Sequence, residues 1–177
     1  MKKGKQSYIF DIPPTIISTS SVVGKRESEG PLGSYFDEML DDDLYGEKSY
    51  ELAECKMQKH AANLALKKAG INIYDIDAIL GGDLLNQIYA SSFSARDFDT
   101  PYFGLYGACS TFGEELIIGS MLINTGMFNH ILCSTSSHFS TAERQYRFPL
   151  ELGNQRTPTS QWTVTGAGST ILSSKAV

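Results

Sequence analysis

The sequence predicts an α/β domain built on a mixed sheet packed against helices. Three observations carry this. Short apolar runs alternate with segments of helical length, the pattern of a sheet whose connections are helices. One run, "HILCSTSS" (His130 to Ser137), has little polar alternation, as expected for a strand covered on both faces. The stretch from Ser49 to Gly70 carries a full set of helix start and stop signals.

Taken in order, "SYIF" (Ser7 to Phe10) reads as a short strand, and "PPTIISTSSVVG" as a second extended segment ending at Gly24. Residues 24–49 are polar and turn-rich, with Gly30, Pro31 and Gly33 close together. They read as a long loop with a short helix near Tyr35 to Leu40. Asp41, Asp42 and Asp43 lack the spacing of a calcium-binding loop and read as a solvated charge run.

Ser49 then caps a helix that ends at Gly70. Glu51 and Glu54 lie near its start and Lys67 and Lys68 near its end, the order the helix dipole favours. Leu52, Cys55, Lys59 and Ala62 mark one stripe, with Leu64 and Leu66 extending the apolar face. Cys55 and His60 read as packing or surface residues. Ile76 to Leu80 is an apolar strand running into Gly81, Gly82 and Asp83, and Pro101 to Ala108 reads as another. Ser110 to Asn124 reads as a helix apolar around nearly its whole circumference, hence a buried central helix that begins at Cys109. The segment "HFSTAERQYRFPLELGNQRTPTSQ" reads as a long loop. "WTVTGAGSTILSS" closes the chain as two strands joined near Gly166 and Gly168.

Composition removes several function classes. The chain has 177 residues and a net charge of −5 with no basic stripe, so nucleic acid is not the expected partner. No stretch approaches the roughly 20 apolar residues of a membrane span, and the basic opening "MKKGKQSYIFDIPP" is cut short by Asp11 and the prolines, unlike a signal peptide. Cys55, Cys109 and Cys133 are an odd, widely spaced set, which predicts free thiols in a reducing compartment and no zinc site.

Cys109 is the residue that asks for an explanation. The first turn of a helix offers unpaired N–H groups and partial positive charge. A cysteine there has a lowered pKa and a reactive thiolate, and the same geometry binds carboxylates. The position therefore suits a nucleophile or the floor of an anion pocket. Cys133, in mid-strand, reads as packing.

The strand-"GACS"-helix turn (Gly107 to Ser110) resembles the thiolase-like superfamily, which includes the ketoacyl synthases. The stretches "GKQSYIF", "GPLGSYFDE", "GDLLNQ", "FGLYGACST" and above all "TSSHFSTAERQYRFPLELG" resemble the stage V sporulation protein AD family, from about Gly4 to the end of the chain. The resemblance implies a thiolase-like half-domain over residues 1–177, with the second half of that fold, and its histidine and asparagine motifs, outside this chain. It implies binding of dipicolinic acid (pyridine-2,6-dicarboxylic acid), alone or as its calcium complex, during uptake into spores, and a role in its release at germination. It implies the other stage V membrane transport proteins as partners, a place on the cytoplasmic face of or peripheral to the spore inner membrane, and no cofactor. A lone half would leave an apolar face to be covered by a second copy or a second thiolase-like half.

On that reading Cys109 and Ser110 supply the pocket floor, while Gly82, Asp83 and Leu84 line its rim. Ser136, Ser137 and His138 reach the same edge of a parallel sheet, where ligands of α/β folds bind. Arg144 and Arg147 would pair with carboxylates, ahead of Arg156; the arginines fit a surface or dimer-interface network equally well. His138 fits a loop hydrogen-bonding role as well as a ligand contact. Asp83 would repel a free dicarboxylate, and so would face either a calcium ion or a backbone turn. Two other functions stay open: an acyl-transferring condensing enzyme with Cys109 as nucleophile, and a scaffold subunit of a transport complex.

Overall fold

In a computed structural model, which describes residues 2–147, 159 and 161–175, the chain forms a six-stranded mixed sheet with helices on both faces. A two-residue pair, β1 (Lys2–Lys3) and β2 (Ser7–Tyr8), precedes it. The sheet strands are β3 (Thr15–Val23), β4 (Glu38–Met39), β5 (Ala78–Gly82), β6 (Tyr102–Gly104), β7 (His130–Ser137) and β8 (Gly166–Ser173), in the order β4-β3-β8-β7-β5-β6. Only β8 runs against its neighbours; the others share one direction. The C-terminal ends of β5, β6 and β7 therefore meet the N-terminal end of β8 at one edge.

Helix α2 (Tyr50–Ala69), which follows the short α1 (Lys25–Ser28), forms as its sequence dictates. The Ser49 hydroxyl accepts the Leu52 N–H at 3.3 Å, and Gly70 closes the helix in the left-handed conformation (φ 69°) that favours glycine. Its buried face holds Cys55, Ala62 and Leu66 of the predicted stripe but not Leu52, which is exposed, and it is completed by Ala53, Met57, Ala61 and Ala65. Alanines and one methionine let α2 lie close on the sheet, so small size, not large apolar side chains, marks the inner face.

Side-chain alternation splits the sheet between two cores. Ile79, Leu132 and Ile171 pack with Ala62, Ala65 and Leu66 of α2. Leu80, Ile131, Cys133 and Leu172 pack with Ile123 of α4 (Thr111–Asn124) on the opposite face. Both faces of β5 and β7 are thus covered, which explains their lack of polar alternation. Gly119 lets α4 approach, since a Cβ there would stand 2.8 Å from Leu172.

Several sequence expectations need correction. No helix begins at Cys109, which lies in a single 3-10 turn (Ala108–Ser110), with Ala108 in the left-handed region at φ 50°. Helix α4 starts two residues later, and it is not buried all round. Only Thr111, Glu115, Gly119 and Ile123 are buried, one residue per turn, while Ile117 is 56 % exposed. The apolar circumference has one face on the sheet and another, with Ile117 and Met121, that is exposed among the described residues. The closing "WTVTGAGSTILSS" is one strand, β8, because Gly166 and Gly168 pair in register with β7 instead of turning. The long loop over residues 24–49 contains α1, a 3-10 turn (Gly33–Tyr35) and β4. Two helices were not expected. In α3 (Tyr89–Arg96) the buried residues are Ala90, Ser91, Ser94 and Ala95, and in α5 (Phe139–Tyr146) only Thr141 and Ala142 are buried.

Candidate functional site

At the sheet edge just described, a cavity of about 510 Å³ opens between the ends of β5 and β7, the turn before α4, α5 and the segment leading into β8. Backbone close approach shapes its floor. A Cβ on Gly82 would collide with the Leu105 carbonyl and the Thr111 methyl group, so only glycine lets the turn after β6 close over β5. That turn holds Cys109 exposed against the cavity.

The start of α4 forms one wall. Thr111 is buried and its Oγ1 accepts the Gly107 N–H at 3.0 Å. Ser110, the N-cap, makes no side-chain bond to the first-turn amides; its hydroxyl lies 2.8 Å from both the Gly107 carbonyl and a Glu114 oxygen. Ser110 therefore turns back on its own turn and lies outside the cavity lining, whereas Thr111 and Phe112 lie within it. The first amides of a fourteen-residue helix are left without a side-chain cap beside the cavity, an arrangement suited to a carboxylate.

The structure sorts the remaining candidates by the face their side chains take. Ser137 lines the cavity and donates to the Val164 carbonyl at 2.6 Å. Ser136 and Asp83 border the cavity, but their side chains bond to α2 and α3. The Ser136 hydroxyl donates to Glu54 at 3.0 Å. Asp83 is buried and accepts from the Leu85 N–H (2.8 Å), the Ser91 N–H (2.8 Å) and the Ser91 hydroxyl (2.6 Å). Of the two roles open to Asp83, it takes the backbone turn. Among the described residues no group of three or more His, Cys, Asp or Glu side chains is placed to hold a metal ion.

Leu84 lies on the rim, where its carbonyl accepts the Tyr146 hydroxyl at 2.6 Å; Tyr146 is bonded in turn to Tyr106, which ties α5 to the turn before α4. His138 lies outside the cavity. It is fully buried, its Nδ1 accepts the Ser140 N–H at 3.1 Å as the cap of α5, and its Nε2 donates to the Asp43 carbonyl at 2.8 Å. Both contacts fit the neutral ring, and burial holds its pKa below the ordinary histidine value.

The two arginines part company. Arg147 borders the cavity, paired with Glu143 at 2.5 Å. Arg144 points away and pairs with Glu51 of α2. Arg156 lies outside the described residues. Sequence reasoning missed Thr111, Phe112, Thr135 and Trp162, all of which line the cavity. Trp162, the single tryptophan of the chain, lies 4.7 Å from the Phe139 ring and carries the Arg26 guanidinium 3.5 Å above its own. A lone tryptophan just before a glycine-rich strand was the available signal.

Comparison with known proteins places this geometry in a family. Residues 4–177 match the family described as stage V sporulation protein AD. The chain belongs to that family. It is 41 % identical over 170 residues to stage V sporulation protein AD of Bacillus subtilis (strain 168), a match covering 96 % of this chain and 50 % of that protein. Among solved structures, 3-oxoacyl-[acyl-carrier-protein] synthase III from Aquifex aeolicus VF5 is similar with a TM-score of 0.58 at 16 % identity, over 90 % of this chain and 53 % of that one. A variant of OleA from Xanthomonas campestris gives a TM-score of 0.61 at 13 % identity, over 94 % and 57 %. These likenesses establish a thiolase-like fold. The chain spans about half the length of the relatives it matches.

Proposed function

We propose that this chain is the ligand-binding half of a sporulation protein that holds dipicolinic acid in the cavity at the C-terminal edge of β5 and β7. The observation that carries the reading is the juxtaposition of an uncapped helix start (Thr111, Phe112), Arg147 and Trp162 around one opening. A flat aromatic dicarboxylate calls for donors and positive charge at its two ends and an apolar slot between them. Asp83 is taken up by Leu85 and Ser91, so calcium, where it takes part, enters with the ligand and not through that carboxylate. In this reading Cys109 is a floor residue of a non-catalytic pocket. The protein serves dipicolinate uptake and its later release, at the surface of the inner membrane beside the other stage V transport proteins. No helix among the described residues is long and apolar enough to cross a membrane.

Trp162 makes the proposal testable. Pyridine-2,6-dicarboxylate should change its fluorescence saturably, and benzoate, with one carboxylate, should do so far more weakly. Equal responses to both would reject a dicarboxylate site.

The acyltransferase reading keeps one specific observation in its favour: Cys109 is the exposed cysteine and it faces the cavity of a ketosynthase-like fold. An acyl-thioester donor that labels Cys109 selectively at neutral pH would support it. The outward face of α4, with Ile117 and Met121 exposed, is the surface we assign to a second copy or a second thiolase-like half.

A further inference from the structure

Glu54 is a fully buried carboxyl group on α2 that the cavity itself does not use. Its Oε1 accepts the Ser136 hydroxyl at 3.0 Å, and its Oε2 lies 3.2 Å from the Thr141 hydroxyl. Thr141 Oγ1 also lies 3.0 Å from the His138 carbonyl. A hydroxyl has one proton, and a carbonyl can only accept. Both Thr141 contacts are satisfied only if that proton goes to His138 and Glu54 donates from Oε2. A protonated Glu54 thus lets Thr141 keep both contacts; an ionised Glu54 can hold Thr141 only by drawing its proton from the His138 carbonyl, which also accepts the Ala142 N–H at 3.0 Å.

The surroundings agree. Burial, then the negative charge of Asp83 at the end of β5, push the Glu54 pKa up to about 8; donation to the ionised form from Ser136, and from Thr141 once it turns from His138, pulls the other way, and Glu51, one turn earlier on α2, adds to the rise. His138, on the α5 side, is neutral with both ring nitrogens engaged. Arg144, also on α5, is paired with Glu51.

The three partners belong to three elements. Glu54 joins α2 to the end of β7 through Ser136 and to the first turn of α5 through Thr141. Helix α5 carries Glu143 and is followed at its C-cap by Arg147, and these two line one side of the cavity. We infer that Glu54 is a positioning residue for the cavity: as a neutral acid it fixes α5, and with it Arg147, against the sheet edge, and its ionisation releases that wall. The inference rests on the reading of this cavity as the ligand site, but its first test needs no ligand.

The test is a pH titration of Trp162 fluorescence in the unliganded chain and in Glu54→Gln, which keeps a neutral group of the same shape. The Trp162 ring lies tilted against that of Phe139, the first residue of α5, and so reports the placement of that helix. The wild-type chain should show a transition centred near the Glu54 value of about 8, and Glu54→Gln should show none while melting cooperatively at neutral pH. A second arm measures pyridine-2,6-dicarboxylate affinity, which should weaken tenfold or more across the same range in the wild type and stay level in Glu54→Gln. The same transition in both proteins, or none in the wild type, would overturn the inference. Should Glu54→Gln fail to fold, Thr141→Val, which cuts the tether to α5 only, should shift the wild-type transition; an unchanged titration would overturn the inference. Loss of the transition in Glu54→Gln with no dicarboxylate binding in either protein would support the role of Glu54 and count against the ligand reading alone.

Discussion

The carboxylate of Asp83 accepts the Ser91 hydroxyl at 2.6 Å and the Ser91 amide at 2.8 Å, and this pair decides which way the end of β5 faces. The acid that would repel a dicarboxylate is thereby turned toward α3. Ser91→Ala should leave Asp83 with a lost partner in a buried place, which costs about 1–3 kcal/mol. We expect lower melting temperatures and little change in dicarboxylate affinity. A tenfold change in affinity at equal stability would place Asp83 in the binding site.

The arginines should behave differently despite lying three residues apart. Arg147 borders the cavity, whereas Arg144 is paired with Glu51 outside it. A charge-assisted bond to a carboxylate is worth about 1.5–3 kcal/mol, so Arg147→Ala should weaken dicarboxylate binding roughly 10- to 100-fold. Arg144→Ala should change it less than about threefold, because an exposed ion pair is worth only about 0–1 kcal/mol. Parallel titrations of both variants check this; equal losses would contradict the assignment.

The sequence carried the class of fold and the edge where the cavity lies, because both follow from the order of strands and helices. The span of β7 and the caps of α2, Ser49 and Gly70, were legible for local reasons: a double-sided apolar run and a serine and glycine at the two ends. What side chains do at that edge was less legible. Whether Asp83 or Ser136 faces the cavity or the helix layer depends on strand parity, and a one-residue shift reverses it. Helices α3 and α5 were hidden because their inner faces are serine, threonine and alanine, which carry no apolar periodicity. The apolar content of α4 was read correctly and its burial was not, because among the described residues only one face of the helix meets the sheet, and residue type does not say which.

Glu115 supplies a stability prediction. It is fully buried on α4 and neither carboxyl oxygen makes a hydrogen bond of good geometry. Burial raises its pKa to about 9; the nearby Ser134 backbone opposes the rise and the Glu114 charge adds to it. The unfolded value is 4.5, so between 4.5 and about 9 the folded state holds a proton that the unfolded state releases. Stability from this group is full below the lower value and falls as pH rises through the window, at up to about 1.4 kcal/mol per pH unit. Glu115→Gln should flatten that slope and raise the melting temperature above that of the wild type more at pH 8 than at pH 5. Parallel slopes in variant and wild type would show that Glu115 is ionised in the fold.

Gly82 should tolerate no side chain. In Gly82→Ala the new methyl group meets the Leu105 carbonyl and Thr111, and it displaces the turn that carries Cys109. Overpacking of this kind costs about 1–3 kcal/mol. We expect a folded, less stable protein with weakened ligand binding, read by thermal melts and titration together. Unchanged affinity would mean that this turn does not form the floor.

Thiol chemistry tests exposure directly. Cys109 is exposed, whereas Cys55 and Cys133 are buried and burial holds both thiols up, Cys55 to about 11. A thiol reagent should modify one cysteine of the native chain quickly and the other two only on unfolding, and dipicolinate should protect the fast one. Fast modification without protection would separate Cys109 from the ligand.

The most direct measurement is calorimetric titration of pyridine-2,6-dicarboxylate, with and without calcium, into this chain and into Cys109→Ala. The account predicts saturable binding to the intact chain that weakens in the variant. A folded chain that takes up no dicarboxylate under either condition would contradict the claim that this half holds the site.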